Sequence, residues 1–445
     1  MKSLLSVALL SMLVIACGPS IEDQIELLAA GGEERDTAIQ ELLLRPDRAV
    51  GPLLRALEDP SLAKGHADIA EALVGMMLRV DDEALVAALR RHLVSHADAK
   101  VRRRIAYRLG MLKRSEFIAE LLQAAGDRDG EVSAEAFKAL NILNKKLGEE
   151  DRERLDQTAL ELLESPHEGV REEASIRVEQ RVGKILGQAR EAVTKAQIEE
   201  ADSLYWSALA YAPNSWQAQI AQARFYMENG QEERGFNIMR DIGAVLEVPR
   251  LANAPEIDGQ LDDAAWQASE EHVLPFVAYR GYQVETEVEC RIRIGYTDEA
   301  FYIAVYNYDA TPDSIVAEKA AHDEQVWLED SMEIFLDANW DRRSYVQYVV
   351  SSKPTVFDAV HENGLGSQVS DWTGDAQFAS HIGADHWSLE GRMAYDEQWV
   401  RKPEPGVRWG ANFGRDHRDR TQSTQWVYTS GNYHQVDQFG VLVFE

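Results

Sequence analysis

Basic residues are scarce in this chain. Lys and Arg number 46 against 76 Asp and Glu, a formal charge of −30 over 445 residues. Such a balance repels phosphate backbones and anionic lipid headgroups, which excludes nucleic acid as a partner. Cysteine is almost missing, with Cys17 and Cys290 alone. Cys290 falls on the apolar side of the alternation 288–294, where it reads as a buried small hydrophobe and not as a reactive thiol. Beyond the first residues no apolar run is long enough to span a bilayer. No serine sits in a Gly-x-Ser-x-Gly setting, and no glycine-rich phosphate loop precedes a helix. His361-Glu362-Asn363 and Asp385-His386 lack a second His or Cys at ligand spacing. The run Asp416-His417-Arg418-Asp419-Arg420 reads as a solvated loop. The chain is therefore expected not to be an enzyme.

What is present begins with a leader. Lys2 supplies a positive start, residues 4–15 are apolar, and Val14-Ile15-Ala16-Cys17 closes the segment. The apolar stretch is too short for a transmembrane helix and has the architecture of a signal peptide, residues 1–16. Its last four residues resemble a bacterial lipobox, with Val14 in place of the usual Leu. The resemblance implies that Cys17 is lipidated and that the membrane is reached only through that lipid. Gly18 is not the Asp that signals inner-membrane retention, so the cell envelope, at the outer membrane, is the expected location.

Two textures follow. From residue 21 to about 246 the chain is rich in Ala and Leu, with apolar residues recurring at helical spacing. Asp98-Ala99-Lys100-Val101, Asp129-Gly130-Glu131-Val132 and His167-Glu168-Gly169-Val170 each open a helix after a polar turn. Each is followed by an alanine-bearing face, at Ala106, Ala136 and Ala174. The period of roughly 30 to 40 residues suits helical-hairpin solenoids, and the segment 17–187 resembles HEAT repeats. Residues 188–247 resemble one tetratricopeptide unit, through Ala201, Tyr205, Ala208 and Pro213, then Ala221, Tyr226 and Gly230. Gly235 stands where a following repeat would carry Ala. These helices are either a spacer or a protein-docking face.

At Val248-Pro249 the texture changes. Of the 10 tryptophans all but Trp206 and Trp216 lie beyond this point, and short alternating runs replace helical spacing. The runs 288–296, 301–308, 331–337, 345–351, 387–395, 408–415 and 439–444 are strand candidates, the first two joined as a hairpin. Such a series predicts an antiparallel β-sandwich over 248–445. The fold class is thus an all-α helical-repeat solenoid followed by a sandwich.

Within the sandwich, the stretch 327–337 carries the chemistry. Alternation from Ser331 puts Met332, Ile334 and Leu336 on a core face and Ser331, Glu333 and Phe335 on the other. A carboxylate on a rigid strand beside an aromatic plate, Trp327, suits a sugar, whose C–H patches stack while its hydroxyls are read by acceptors. Glu256 to Trp266, Trp327 to Asp337, Gly410-Ala411-Asn412-Phe413 and the closing Phe439-Gly440-Val441-Leu442 together resemble a family 9 carbohydrate-binding module. The resemblance implies an oligosaccharide or polysaccharide held between two aromatics, with Trp327 the first and Glu333 the acid. Gln347 matches the family's Gln-aromatic pair, and Tyr433 stands where the second aromatic is typically Trp; Trp426 is the other candidate. Val349 occupies the place of a basic residue that the family can carry.

Trp266, Trp387, Trp399 and Trp409 are expected in the core or at its rim, and Trp340 and Trp372 bordering a groove. Calcium occurs in modules of this family, so Asp258, Asp298, Asp309, Asp330 and Asp337 are candidate structural ligands beside their reading as turn aspartates. Three other functions remain open at this stage. One is a helical scaffold whose sandwich has lost its ligand. Another is a haem-binding sandwich resembling the DOMON group, which needs an axial Met or His facing a cavity. The last is a glycosidase pairing Glu333 with Glu390 or Asp330.

Overall fold

The computed structural model describes residues 19–277, 289–369, 372–418, 423–429 and 432–445. The leader with Cys17, and Val288, Asp419 and Arg420, lie outside them. Among the described residues no helix is long and apolar enough to cross a membrane. The chain divides into two compact units, residues 1–178 and 179–445.

The first unit is helical throughout: α1 (Ile21–Ala30), α2 (Arg35–Leu43), α3 (Pro46–Glu58), α4 (His66–Met76), α5 (Glu83–Ser95), α6 (Ala99–Met111), α7 (Ile118–Ala125), α8 (Gly130–Ile142) and α9 (Glu149–Leu162), with α10 (Glu168–Thr194) starting in it. The acidic turns act as N-caps. Asp98 accepts from the Lys100 N–H at 2.9 Å, and Asp129 from Glu131 at 3.1 Å and Val132 at 3.2 Å, relieving helix-start donors that have no partner within the helix. Val101, Val132 and Val170, with Ala106, Ala136 and Ala174, are all buried, as their repeat positions predict. The inner helices α6 and α8 meet closely. A Cβ at Gly110 would stand 2.8 Å from that of Ala139, so a side chain there would force them apart. A part-buried bidentate pair, Arg102 to Asp127 with both bonds 2.8 Å, ties α6 to the turn before α8.

The second unit holds α11 (Ile198–Tyr211), α12 (Trp216–Glu228) and α13 (Glu232–Asp241), then the strands. Pro213 lies in the break between α11 and α12, where it has no N–H to continue a helix. One sheet runs β1 (Val245–Val248), β14 (Gly440–Phe444), β12 (Arg408–Asp416), β6 (Ser331–Asp337), β7 (Tyr345–Ser351), β8 (Val356–His361) and β9 (Gln368–Val369). β13 (Thr424–Gln425) pairs with β12, and β3 (Phe276–Val277) with β13. The other sheet runs β10 (Ala376–Ile382), β11 (His386–Ala394), β5 (Ala300–Tyr308), β4 (Cys290–Tyr296) and β2 (His272–Val273).

The expected antiparallel sandwich is present, and one edge strand joins it in parallel. β1 pairs with β14 in parallel, Val245 opposite Val441. The strand arrives straight from α13 and is set by no hairpin, so nothing local forces it antiparallel. It also spans the expected boundary at 247–248. One apolar cluster joins Ile220, Ala223, Phe236 and Met239 of the helices to Leu246, Ile294, Ile303, Ile334 and Leu389 of both sheets. Met332, Ile334 and Leu336 face this core and are fully buried, as their alternation predicts. Cys290 is buried in the same cluster, and burial pushes its thiol up to about 12. Trp266, Trp387 and Trp409 are buried, and Trp399 packs on the core's margin.

Candidate functional site

The outer face of β6, β7, β8 and β12 carries the predicted acid. Register places Gly414, Glu333, Val349 and Phe357 in one row across the four strands. At one end the Tyr433 ring lies over Gly414, whose missing side chain leaves the space: a Cβ there would stand 2.8 Å from Tyr433 Cζ. At the other end the Trp327 ring meets Phe357 edge to face, centroids 4.9 Å apart at 78°, beside Val349 and Ala359. At the usual inter-strand spacing the two anchor points are about 14 Å apart, with Glu333 between them. The structure therefore brings Trp327, Glu333, Gln347 and Tyr433 to one face.

Glu333 is held from one side. Gln347 Nε2 donates to its Oε2 at 2.9 Å, and Gln347 Oε1 lies 3.1 Å from His361 Nε2. With the Gln347 amide so oriented, the proton of His361 belongs on Nε2 and points at that oxygen. Burial lowers the His361 imidazole to about 4, so it stays neutral near pH 7. Tyr345 stacks on His361 at 4.7 Å and 15°, and its hydroxyl meets His434 Nδ1 at 2.7 Å.

On the other side stands Asp416. Burial, and then the Asp416 charge, hold the Glu333 carboxyl well above the usual carboxylate range; Asp416 is raised in turn, first by burial. Like charges this close in a dry setting disfavour double ionisation, so the pair retains a proton. Asp416 also accepts from Ser423 Oγ at 2.7 Å. Arg418 stabilises both carboxylates electrostatically, and its Nη2 donates to the Trp327 carbonyl. Asp416 and His361 were missed in the sequence, Asp416 as part of a solvated run and His361 as a lone histidine. Asp416 in fact ends β12, two residues from Gly414 and on the same face. The alternation Asn412, Gly414, Asp416 was the available signal.

Several expectations are corrected here. Tyr433 is not an open stacking wall. Only 2% of it is accessible, its hydroxyl donates to the Thr424 carbonyl at 3.3 Å, and it packs with Phe335, Tyr345, Val436 and Phe439. Trp426 is on the opposite side of the sheet, buried beside Phe413, with its indole N–H on the Gly243 carbonyl. Trp327 is half-buried and is the ring that keeps an accessible surface. Trp340 and Trp372 are partly buried and pack against the main core. Glu390 is a structural hub on the other sheet, accepting from Trp266 Nε1 at 2.8 Å, Gly259 N at 3.0 Å and Asp258 N at 3.1 Å. Asp330 clamps backbone, accepting from Val316 N at 2.8 Å and Arg418 N at 3.2 Å. Neither forms an acid pair with Glu333.

The group Asp309, Asp330 and His417 brings its ligand atoms within 4.8 Å of one another. Calcium takes six to eight oxygens. Asp309 here accepts from Thr311 N at 2.8 Å and faces the Arg415 guanidinium at 3.7 Å, while both Asp330 oxygens accept backbone N–H groups. The donors in place suit an ion-pair cluster and do not fit a calcium cage. Asp298 is likewise committed, bridging Arg250 and Lys402.

Among known proteins, no curated sequence matches the chain. It is similar in structure to a family 9 carbohydrate-binding module from Caldicellulosiruptor kristjanssonii in complex with cellotriose, at 19% identity and TM-score 0.36, covering 45% of this chain and 93% of that one. The same module in complex with glucose gives 18% identity and TM-score 0.35, over 45% and 95% of the two chains. The phycocyanin lyase complex of a Nostoc species gives 19% identity and TM-score 0.25, over 51% and 96%. Residues 83–178 match the family model for HEAT repeats.

Proposed function

We propose that the sandwich is a non-catalytic carbohydrate-binding module whose site is the Trp327–Glu333–Gln347 face. The observation that carries this reading is the fixed chain His361–Gln347–Glu333 on the same sheet face as the half-buried Trp327 indole. A carboxylate and an amide locked by neighbours can read hydroxyl positions without a further loss of freedom, and an aromatic ring supplies the apolar contact. Tyr433, closed over Gly414, backs the far end of the row. The buried acid pair and Val349 favour an uncharged sugar over a uronate, which would meet Glu333 and Asp416 with like charge. Affinity electrophoresis of the full chain in gels cast with neutral polysaccharides, wild type against Trp327→Ala, tests the reading. Retardation of the wild type and its loss in the variant are expected; equal mobility in every gel would dismiss it.

In the same proposal Cys17 carries lipid, and the chain is held at the cell envelope, on the outer membrane, with the helical repeats as the stalk. One observation favours a second activity. A groove of about 980 Å³ between α11, α12 and α13 is lined by Trp206, Leu209, Pro213, Ile238 and Ile242, and Trp206 is 51% exposed. Exposed aromatics over an apolar groove suit a protein segment, the scaffold role left open by the sequence. Crosslinking from a photoreactive residue at position 206 in cells tests it, with no adduct as the outcome against.

A further inference from the structure

We propose that His322, Asp323 and Asp358 form a site for a zinc-class divalent cation at the edge of β8. Each offers one ligand atom, and the three atoms lie within 4.8 Å of one another. His322 Nδ1 is 3.1 Å from Asp323 Oδ2, and its Nε2 is 3.6 Å from Asp358 Oδ2. Asp358 is the fixed member. It is 4% accessible, its Oδ2 accepts from Gly374 N at 3.1 Å, and its Oδ1 has no hydrogen-bond partner among the described residues. A buried carboxylate oxygen without a donor costs free energy unless a cation or proton meets it. The other oxygen of the same carboxylate, Oδ2, faces the His322 imidazole, and Asp323 stands beside that ring.

The other two ligands are exposed, and they sit on a turn already docked to the strand. Asp323 takes the left-handed conformation at φ 67°, its N–H donates to the Val356 carbonyl at 3.0 Å, and its Oδ1 lies 3.5 Å from Asp358 N. Among the described residues β9 pairs with β8 at Val360 and His361. A tetrahedral ion with bonds of about 2.0–2.2 Å needs donors roughly 3.3–3.6 Å apart. The two surface side chains can supply the contraction by rotamer changes while Asp358 stays in place. One imidazole with two carboxylates suits zinc and its neighbours better than calcium, which takes oxygen alone. A metal here would fasten the turn that leads directly into Trp327 to the strand bearing Phe357. The fourth position would be left to water.

The test is calorimetric titration of the chelator-stripped full chain with ZnCl2, and with CoCl2 followed by visible absorption. One equivalent of zinc, a tetrahedral cobalt band, and a higher melting temperature with zinc are expected. His322→Ala and Asp358→Asn should each lose that equivalent and the band. Both variants keep the fold, since His322 is exposed and Asn still accepts from Gly374 N. Excess calcium should leave zinc bound. No stoichiometric zinc in the wild type, binding unchanged in both variants, or displacement by calcium would each overturn the proposal.

Discussion

Adding a single methyl group at Gly414 isolates the packing that closes one end of the site. In Gly414→Ala the new Cβ would stand 2.8 Å from Tyr433 Cζ, 3.0 Å from Cε1 and 3.2 Å from Cε2. The strand is extended there, so no backbone penalty is mixed in. The ring has little room to yield: it is buried against Phe335, with centroids 6.0 Å apart, and its hydroxyl is held by Thr424. Overpacking of this kind costs about 1–3 kcal/mol. Tyr433→Ala alone should cost about 3–5 kcal/mol. In the Tyr433→Ala background the extra methyl meets nothing, and Gly414→Ala should then change stability by less than about 0.5 kcal/mol. Urea unfolding followed by tryptophan fluorescence gives these values for the second unit alone, because the first tryptophan in the chain is Trp206. If Gly414→Ala is neutral in the wild type, or costs the same in both backgrounds, Tyr433 does not rest on Gly414.

Three further outcomes follow from named contacts. Glu390→Gln replaces one carboxylate oxygen by an amide that cannot accept, against three donors from Trp266, Asp258 and Gly259. A loss of about 1.5–3 kcal/mol per broken bond is expected in urea melts, with glycan affinity unchanged; an altered affinity would return Glu390 to the site. Arg102→Ala leaves the part-buried Asp127 without its bidentate partner and should destabilise the first unit by about 1.5–3 kcal/mol, visible by far-ultraviolet circular dichroism and silent in tryptophan fluorescence. His361 is held near 4, below its ordinary 6.5. Unfolding therefore takes up a proton between these values, so its contribution is full above pH 6.5 and is lost as pH falls toward 4. His361→Gln, which keeps an N–H for Gln347, should flatten the acid limb of stability by about 1.4 kcal/mol per pH unit. An identical limb in the two proteins would refute the assignment.

Local alternation made much of the fold legible. Ser331–Asp337 and Tyr345–Ser351 are both strands at the residues where the period of two begins and ends. The HEAT caps at Asp98 and Asp129 were equally plain, since a cap is a contact within three residues. Strands without a clean apolar face were passed over. Ala376–Ile382 is an edge strand, nowhere fully buried, and its sequence shows no core side. The parallel pairing of β1 depends on residues nearly two hundred positions away, which no local pattern encodes. The site followed the same rule. Glu333 and Gln347 lie on adjacent strands and Trp327 in the turn just before the first of them, all at short sequence separation. Asp416 reached Glu333 only through the β12 register. Tyr433 was misjudged because an aromatic near the right place in sequence can cover a glycine as readily as a sugar.

Calorimetric titration of the full chain with oligosaccharides of the neutral polysaccharide that retards it in affinity electrophoresis, wild type against Glu333→Gln, is the most direct measurement of the proposed site. Glutamine replaces one carboxyl oxygen of the singly charged Glu333–Asp416 pair by an amide of the same shape, so the variant should be folded and at least as stable. Losing a hydrogen bond to a charged group is worth about 1.5–3 kcal/mol, so affinity for whichever sugar binds should fall about 10- to 100-fold. Binding of equal strength in both proteins would contradict a glycan site at Glu333.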